Sequence, residues 1–206
     1  MLGFQAPKNV RLSMKSILVF SDLHANSRAL EDIIPVLKEV DLSIFCGDIL
    51  GYGKDIASCI DFVLNNIDLV VIGNHERLAV SEEDIGSQIP AVQKSTLYNR
   101  SKLTSKQKEL LMALPTEIWY EDFYITHSIK DDYLRTDADF EKLFSRMRED
   151  TRYAFFGHTH EQVLISRNNK TIINPGSITK GRRGLQRGYV LMHSGEIAFV
   201  RLEPIL

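Results

Sequence analysis

The stretch Ser16-Ile17-Leu18-Val19-Phe20-Ser21-Asp22-Leu23-His24 decides the fold. A short apolar run passes directly into Ser21-Asp22, which predicts a buried strand opening into a loop, with Asp22 and His24 at the strand's carboxyl end. Leu30, Ile33, Ile34, Leu37 and Val40 then recur at helical spacing, predicting a helix over 27–40 with Ser27 as its N-cap. The alternation repeats: a strand over 42–46, a loop over 47–53, a helix over 56–64, and a strand over 69–72 ahead of Gly73. Two successive βαβ units predict parallel strands.

Residues 81–114 are polar and helical in pattern, and Pro115 stops them, so they form a helical insert. Strand-like runs follow at 117–119, 123–126, 153–156, 163–165, 171–173, 189–193 and 197–202, broken by one helix near 137–147. No repeat, low-complexity tract or linker divides the chain, so the expectation is one domain over 15–206 behind a loose tail at 1–14.

The 206 residues are 44% hydrophobic and 25% charged, enough apolar material for a large core and too much for a disordered chain. No apolar window reaches the roughly 18 residues that a membrane span needs, and Lys8, Asn9 and Arg11 interrupt the start, so no membrane partner and a cytoplasmic location are expected. A net charge of -2 supplies no global field for nucleic acid, and any anion binding must be local. Cys46 and Cys59 form no C-x-x-C pair and read as reduced, buried thiols.

The polar clusters fall where strands are expected to end: Asp22-x-His24, Gly47-Asp48, Gly73-Asn74-His75-Glu76, His127, and Gly157-His158-Thr159-His160. In open α/β sheets ligands bind beyond the carboxyl ends of strands, so one crevice can collect all of them. Carboxylates, imidazoles and an amide oxygen suit borderline divalent cations; manganese is expected, and iron, nickel, cobalt and zinc fit the same donors. Asp22, His24, Asp48, Asn74, His127, His158 and His160 make seven side chains, more than one ion takes from protein. Two ions about 3.5–4 Å apart with a bridging carboxylate accommodate them, and Asp48 is the natural bridge. The D-x-H and H-x-H pairs would each point to one side on extended backbone, with Gly47, Gly73 and Gly157 allowing sharp turns.

These motifs, in this order from about residue 16 to 202, resemble the calcineurin-like metallophosphoesterases, whose signature is D-x-H, G-D, G-N-H-[DE], a lone His and G-H-x-H. The resemblance implies an α/β fold, a four-layer αββα sandwich of two mixed sheets flanked by helices. It further implies that Asp22, His24, Asp48 and His160 hold one metal, that Asp48, Asn74, His127 and His158 hold the other, and that His75 is a catalytic histidine outside both sets. Ser128 follows His127 where the family often has Gly. The protein-phosphatase branch continues its G-D motif with an Asp-Arg pair; this chain reads Gly47-Asp48-Ile49-Leu50-Gly51-Tyr52-Gly53 and, with Asn174-Pro175-Gly176-Ser177, is similar to the small bacterial and archaeal phosphodiesterase-like members.

The implied reaction is hydrolysis of a phosphate ester: two cations polarise the phosphoryl oxygens, a hydroxide between them attacks in line, and His75 assists the leaving group. Two divalent ions bring about +4 against about -2 from Asp22 and Asp48, a pocket that attracts a small phosphorylated substrate, a nucleotide among them. A phosphodiesterase is expected, with a dinucleoside polyphosphate hydrolase as the alternative within the class. In a different class, a retromer subunit of this fold with a degraded metal site acts as a protein-binding scaffold, whereas here every motif residue is in place. Lys180, Arg182, Arg183 and Arg187 read either as a solvated loop or as an anion-steering rim, Tyr52 either as packing or as substrate contact, and Asn174 to Ser177 either as a simple turn or as support for the site. His193, inside a predicted strand, reads as structural.

Overall fold

The computed structural model describes residues 16–205, so the tail expected at 1–14 lies outside the described residues. Two mixed five-stranded sheets pack face to face, with helices on both outer surfaces. The first sheet contains β1 (Ser16–Phe20), β2 (Leu42–Phe45), β3 (Leu69–Val70), β9 (Arg187–His193) and β10 (Glu196–Leu202), in the order β10-β9-β1-β2-β3. The second contains β4 (Glu117–Tyr120), β5 (Phe123–Thr126), β6 (Tyr153–Phe155), β7 (Gln162–Arg167) and β8 (Lys170–Pro175), in the order β4-β5-β6-β8-β7. The pairs β1–β2, β2–β3, β5–β6 and β6–β8 are parallel, as the βαβ reading required for the first two.

Alternation along β1 builds two cores at once. Ile17 and Val19 join Ile44, Phe123, Ile125, Phe155 and Ile173 in the layer between the sheets. Leu18 and Phe20 face outward against the helices, among them Ile56, Ile60 and Val63 of α2 (Ile56–Asn66). A strand buried on both faces reads as an uninterrupted apolar run, which is why Ser16–Phe20 lacks the polar alternation of a surface strand. On the far side, Phe140 and Leu143 of α6 (Asp137–Arg146) cover Tyr124, Ala154 and Ile172, and Thr136 caps that helix by accepting from the Asp139 N–H.

The helical insert expected over 81–114 becomes α4 (Pro90–Lys102) and α5 (Ser105–Met112), and a further helix, α3 (Asn74–Val80), precedes it. The expected helix over 27–40 is instead a 3-10 turn (Ser27–Asp32) followed by α1 (Ile34–Leu37). Pro35 lacks the N–H that would continue one helix through this point, and Asn26, not Ser27, is the N-cap, accepting from the Arg28 N–H. Among the described residues no helix is long and apolar enough to cross a membrane.

Phe155 is fully buried between the sheets with its ring 5.4 Å from that of Phe123. Phe155→Ala is expected to lower unfolding free energy by about 3–5 kcal/mol, the range for emptying a packed aromatic site. Equilibrium urea denaturation with an unchanged m-value measures it.

Candidate metal centre

The loops leaving β1, β2, β3, β5 and β6 meet at one edge of the sandwich and carry the seven expected metal ligands and His75. The β1 and β2 loops continue to pair after the strands end: Asp22 N–H donates to the Gly47 carbonyl, His24 N–H to Asp48 and Ala25 N–H to Ile49. Asp22, His24, Asp48, His158 and His160 all have positive φ, between 52° and 68°. The D-x-H and H-x-H pairs are therefore left-handed at their metal-motif residues, not extended as expected. Such backbone costs about 1–3 kcal/mol per residue and persists where the surroundings determine it, here through the inter-loop hydrogen bonds.

Two of the motif glycines provide room, not turns. A Cβ on Gly73 would land on the Asp48 carboxylate, and one on Gly157 would meet the Ser21 hydroxyl and, at 3.1 Å, Asp22 Oδ2. Of the three expected turning glycines, only Gly47 has a positive φ.

Four histidines are each oriented by a backbone carbonyl. His24 donates Nδ1–H to Leu50 (3.1 Å), His160 donates Nδ1–H to Lys180 (3.1 Å), His127 donates Nδ1–H to Cys46 (2.7 Å), and His158 donates Nε2–H to Asp131 (3.1 Å). The opposite nitrogen of each ring points into the cluster, the arrangement by which outer partners set the tautomer of a metal-binding imidazole. His24 Nε2 and His160 Nε2 lie 2.9 Å apart, so two imidazole nitrogens converge on one point. His160 Nε2 is also 3.3 Å from Asp22 Oδ1, and both Asp22 oxygens are buried without a hydrogen-bond partner. On the other side Asn74 Oδ1 is 2.9 Å from His158 Nδ1 and 3.1 Å from His127 Nε2, which lies 3.3 Å from Asp48 Oδ2.

These spacings fit a cation. Donors at right angles around an ion with bonds of 2.0–2.2 Å stand about 3 Å apart, so the contacts trace the edges of coordination polyhedra. Asp22–His24–His160 and Asp48–His127–His158 form two buried groups of convergent donors.

Electrostatics agree with this donor set. Burial drives the His24 pKa down to about 3 and that of His158 to about 4, which keeps both rings neutral with a lone pair available. Burial would raise Asp22, but His160 beside it outweighs that and holds the acid at about 2. Asp48 is likewise held well below the ordinary range, against the cost of burial, by His127 and His75. His127 is the counterpart: burial opposes its charge, yet Asp48 raises it to about 9, placing a proton where a cation would neutralise the same carboxylate.

His75 differs from the other four. Its backbone N–H donates to Asp48 Oδ1 at 3.0 Å, while its ring has no carbonyl partner and its Nδ1 is buried and unbonded. It shares a third donor group with His24 and Asp48, so proximity does not distinguish it; the missing orienting carbonyl does. The ring packs edge-on against His24 and Tyr52 at 5.0 Å each, and burial lowers its pKa.

Glu76 acquires a role that the motif reading did not assign. Fully buried Glu76 accepts from Asp48 N–H (3.0 Å), Gly73 N–H (2.8 Å) and Leu50 N–H (2.6 Å), tying the β2 and β3 loops together. Its spacing three residues after Gly73 at the start of α3 is the available sequence signal. Asn174 donates to the Gly157 carbonyl and Thr159 Oγ1 and accepts from Gly176 N–H, and Ser177 donates to the Asp22 carbonyl. Asn174 to Ser177 is thus both a turn and a brace for the loops bearing Asp22, His158 and His160. His193 is far from the cluster, with Nδ1 2.8 Å from Ser16 Oγ in the first sheet.

The cluster opens into a cleft of about 260 Å³ lined by Asp48, Asn74, His75, His158 and His160. Tyr52 stands at its mouth, and Tyr133 stacks on His158 at 4.4 Å.

Residues 14–196 match the calcineurin-like phosphoesterase superfamily domain, and the chain belongs to that superfamily of metal-dependent phosphoesterases. An uncharacterized protein of Methanocaldococcus jannaschii is 25% identical over 201 residues, covering 83% of this chain and 79% of its own. Among solved structures, a metallophosphoesterase from Sphaerobacter thermophilus is 24% identical, with a TM-score of 0.76 over 93% of this chain and 89% of that one. A hypothetical protein from Pyrococcus horikoshii has a TM-score of 0.75 at 15% identity, over 92% and 88% of the two chains.

Glu76→Ala would leave three buried N–H groups without an acceptor, each worth about 1–3 kcal/mol. Unfolding free energy of the metal-free protein is expected to fall by at least about 3 kcal/mol, read from chemical denaturation. A loss near that of a simple cavity would refute the brace.

Proposed function

We propose that this chain is a dinuclear phosphoesterase that hydrolyses disubstituted phosphates, that is, a phosphodiesterase. The observation that carries this reading is the pair of buried donor groups on either side of Asp48, each with its imidazole tautomers set by backbone carbonyls. Asp22, His24, Asp48 and His160 would hold one ion and Asp48, Asn74, His127 and His158 the other, with manganese the expected metal. When bound, the ions supply Lewis acidity toward the phosphoryl oxygens and a net positive charge for a phosphate. The chain's own residues then provide the rest. Burial keeps water from competing for the donors, and Asp48 sets the separation of the two groups. His75, in the cleft without a fixed tautomer, can carry a proton to the leaving oxygen. A solved archaeal phosphodiesterase shares the fold, with a TM-score of 0.56 at 18% identity over 91% of this chain and 99% of that one, which makes the diester the first substrate to test.

Elemental analysis of protein equilibrated with manganese is expected to find two ions per chain, and Asp48→Ala is expected to lose both. One ion in the wild type, or two retained by the variant, would overturn the dinuclear assignment.

His75→Ala is expected to retain both ions and to lower kcat by about 10²–10⁴-fold for diesters with alcohol leaving groups. The loss should be much smaller for p-nitrophenyl esters, whose leaving group departs without a proton. Equal losses for the two leaving groups would remove His75 from proton transfer.

A further inference from the structure

The four basic residues after Ser177 separate into two kinds. Arg187 is 8% exposed and pairs with Asp32 at 2.7 Å, beneath the surface and away from the cleft. Arg183 points outward and pairs with Glu161 at 3.3 Å. Among the described residues, Lys180 and Arg182 have no carboxylate within ion-pair distance, and these two line a second hollow of about 530 Å³ beside His24 and His160. The reading of the whole stretch as one rim is thereby corrected: half of it is internal pairing.

Arg182 occupies the boundary between this hollow and the 260 Å³ cleft that holds His75. Its guanidinium lies 5.5 Å from the Tyr133 ring centre and lines the same spaces as Tyr52, so tyrosines flank it without neutralising it. Tyr52, His160 and Arg182 line both spaces, and residues of the donor cluster border each of them. The two spaces differ in character. The cleft carries Leu78, Ile89 and Val92, with Ile89 63% exposed, while the hollow carries Asn26, Thr179, Lys180 and Gly181. Apolar side chains around Ile89 form a shelf in the cleft, and two cations without a carboxylate partner among the described residues line the hollow.

We propose that Lys180 and Arg182 form a binding site for a second anionic group of the substrate, next to the phosphate that reacts. This inference rests on the phosphodiesterase reading and narrows it: one substituent of the scissile phosphate is apolar or aromatic and lies on the Ile89 shelf, and the other carries a further phosphate. A cation without a carboxylate partner among the described residues, at the edge of an open hollow, gains most from a ligand anion, and a planar guanidinium suits phosphate oxygens in pairs. A simple diester with uncharged substituents leaves the hollow's cations unused.

Calorimetry on manganese-loaded protein, at fixed free manganese, tests this with two ligands that are not cleaved. Methylphosphonate offers one anionic group and methylenediphosphonate two. The wild type is expected to bind the diphosphonate at least about 10-fold more tightly, equivalent to about 1.4 kcal/mol. In Lys180→Ala/Arg182→Ala that preference is expected to collapse to within about two-fold, and at high salt the wild-type preference is expected to shrink as charges are screened. Arg183→Ala, outside both spaces, should keep it. A preference that survives the double substitution, or no preference in the wild type, would overturn the proposal. Binding is read without turnover, so an inactive protein that retains the preference would sink the hydrolase reading and leave this site standing.

Discussion

Two imidazole nitrogens, His24 Nε2 and His160 Nε2, are brought within 2.9 Å of each other while the other nitrogen of each ring donates to a carbonyl. The buried, unbonded carboxylate of Asp22 beside them adds an unmet acceptor. The loops around this point are organised to impose that arrangement. Left-handed backbone at Asp22, His24, Asp48, His158 and His160 aims the side chains inward, and hydrogen bonds between the β1 and β2 loops hold the conformation. The rest of the sandwich gives these loops a rigid base, since the strands beneath them are buried on both faces.

A centre assembled from two sheets depends on how those sheets are locked together. Asp22, His24, Asp48, Asn74 and His75 follow strands of the first sheet, while His127, His158 and His160 follow strands of the second. Slippage between the sheets by one side chain would separate Asp22 from His160 and Asp48 from His127. The inter-sheet core around Val19, Ile44, Phe155 and Ile173 therefore has a geometric duty besides stability. Asn174 and Ser177 extend that duty to the loops, because one turn reaches Gly157 and Thr159 of the second sheet and the Asp22 carbonyl of the first.

Much of this was legible in the chain because the decisive features are short and local. Ser16–Phe20 reads as a doubly buried strand from its apolar run, and the five polar motifs are each a few residues long. What was hidden is what has no letter of its own. The carbonyls of Cys46, Leu50, Asp131 and Lys180 set the tautomers, yet a backbone carbonyl is common to every residue. Left-handed φ at His158 or His160 is not encoded by residue type, since histidine rarely adopts it without tertiary support. Gly73 and Gly157 were visible as glycines, but their function, leaving space for Asp48 and Asp22, depends on partners far away in sequence. Pro35 broke an apolar period that otherwise read as one helix.

The same distinction governs the basic stretch, where identical residue types serve opposite ends. Arg187 and Arg182 differ in nothing that the local sequence reveals, yet Arg187 meets Asp32 and the Ile178 carbonyl inside the fold, while Arg182 lies over the Tyr133 ring at the cleft with no carboxylate partner among the described residues. A paired arginine has already exchanged its hydration for a protein partner and has little left to offer a ligand. An arginine held by aromatic rings keeps its full charge and loses conformational freedom, which lowers the entropy cost of gripping an anion. Counter-ion geometry, not the density of positive residues, therefore separates structural arginines from those available to substrate, and here it singles out the side of the centre where Lys180 stands.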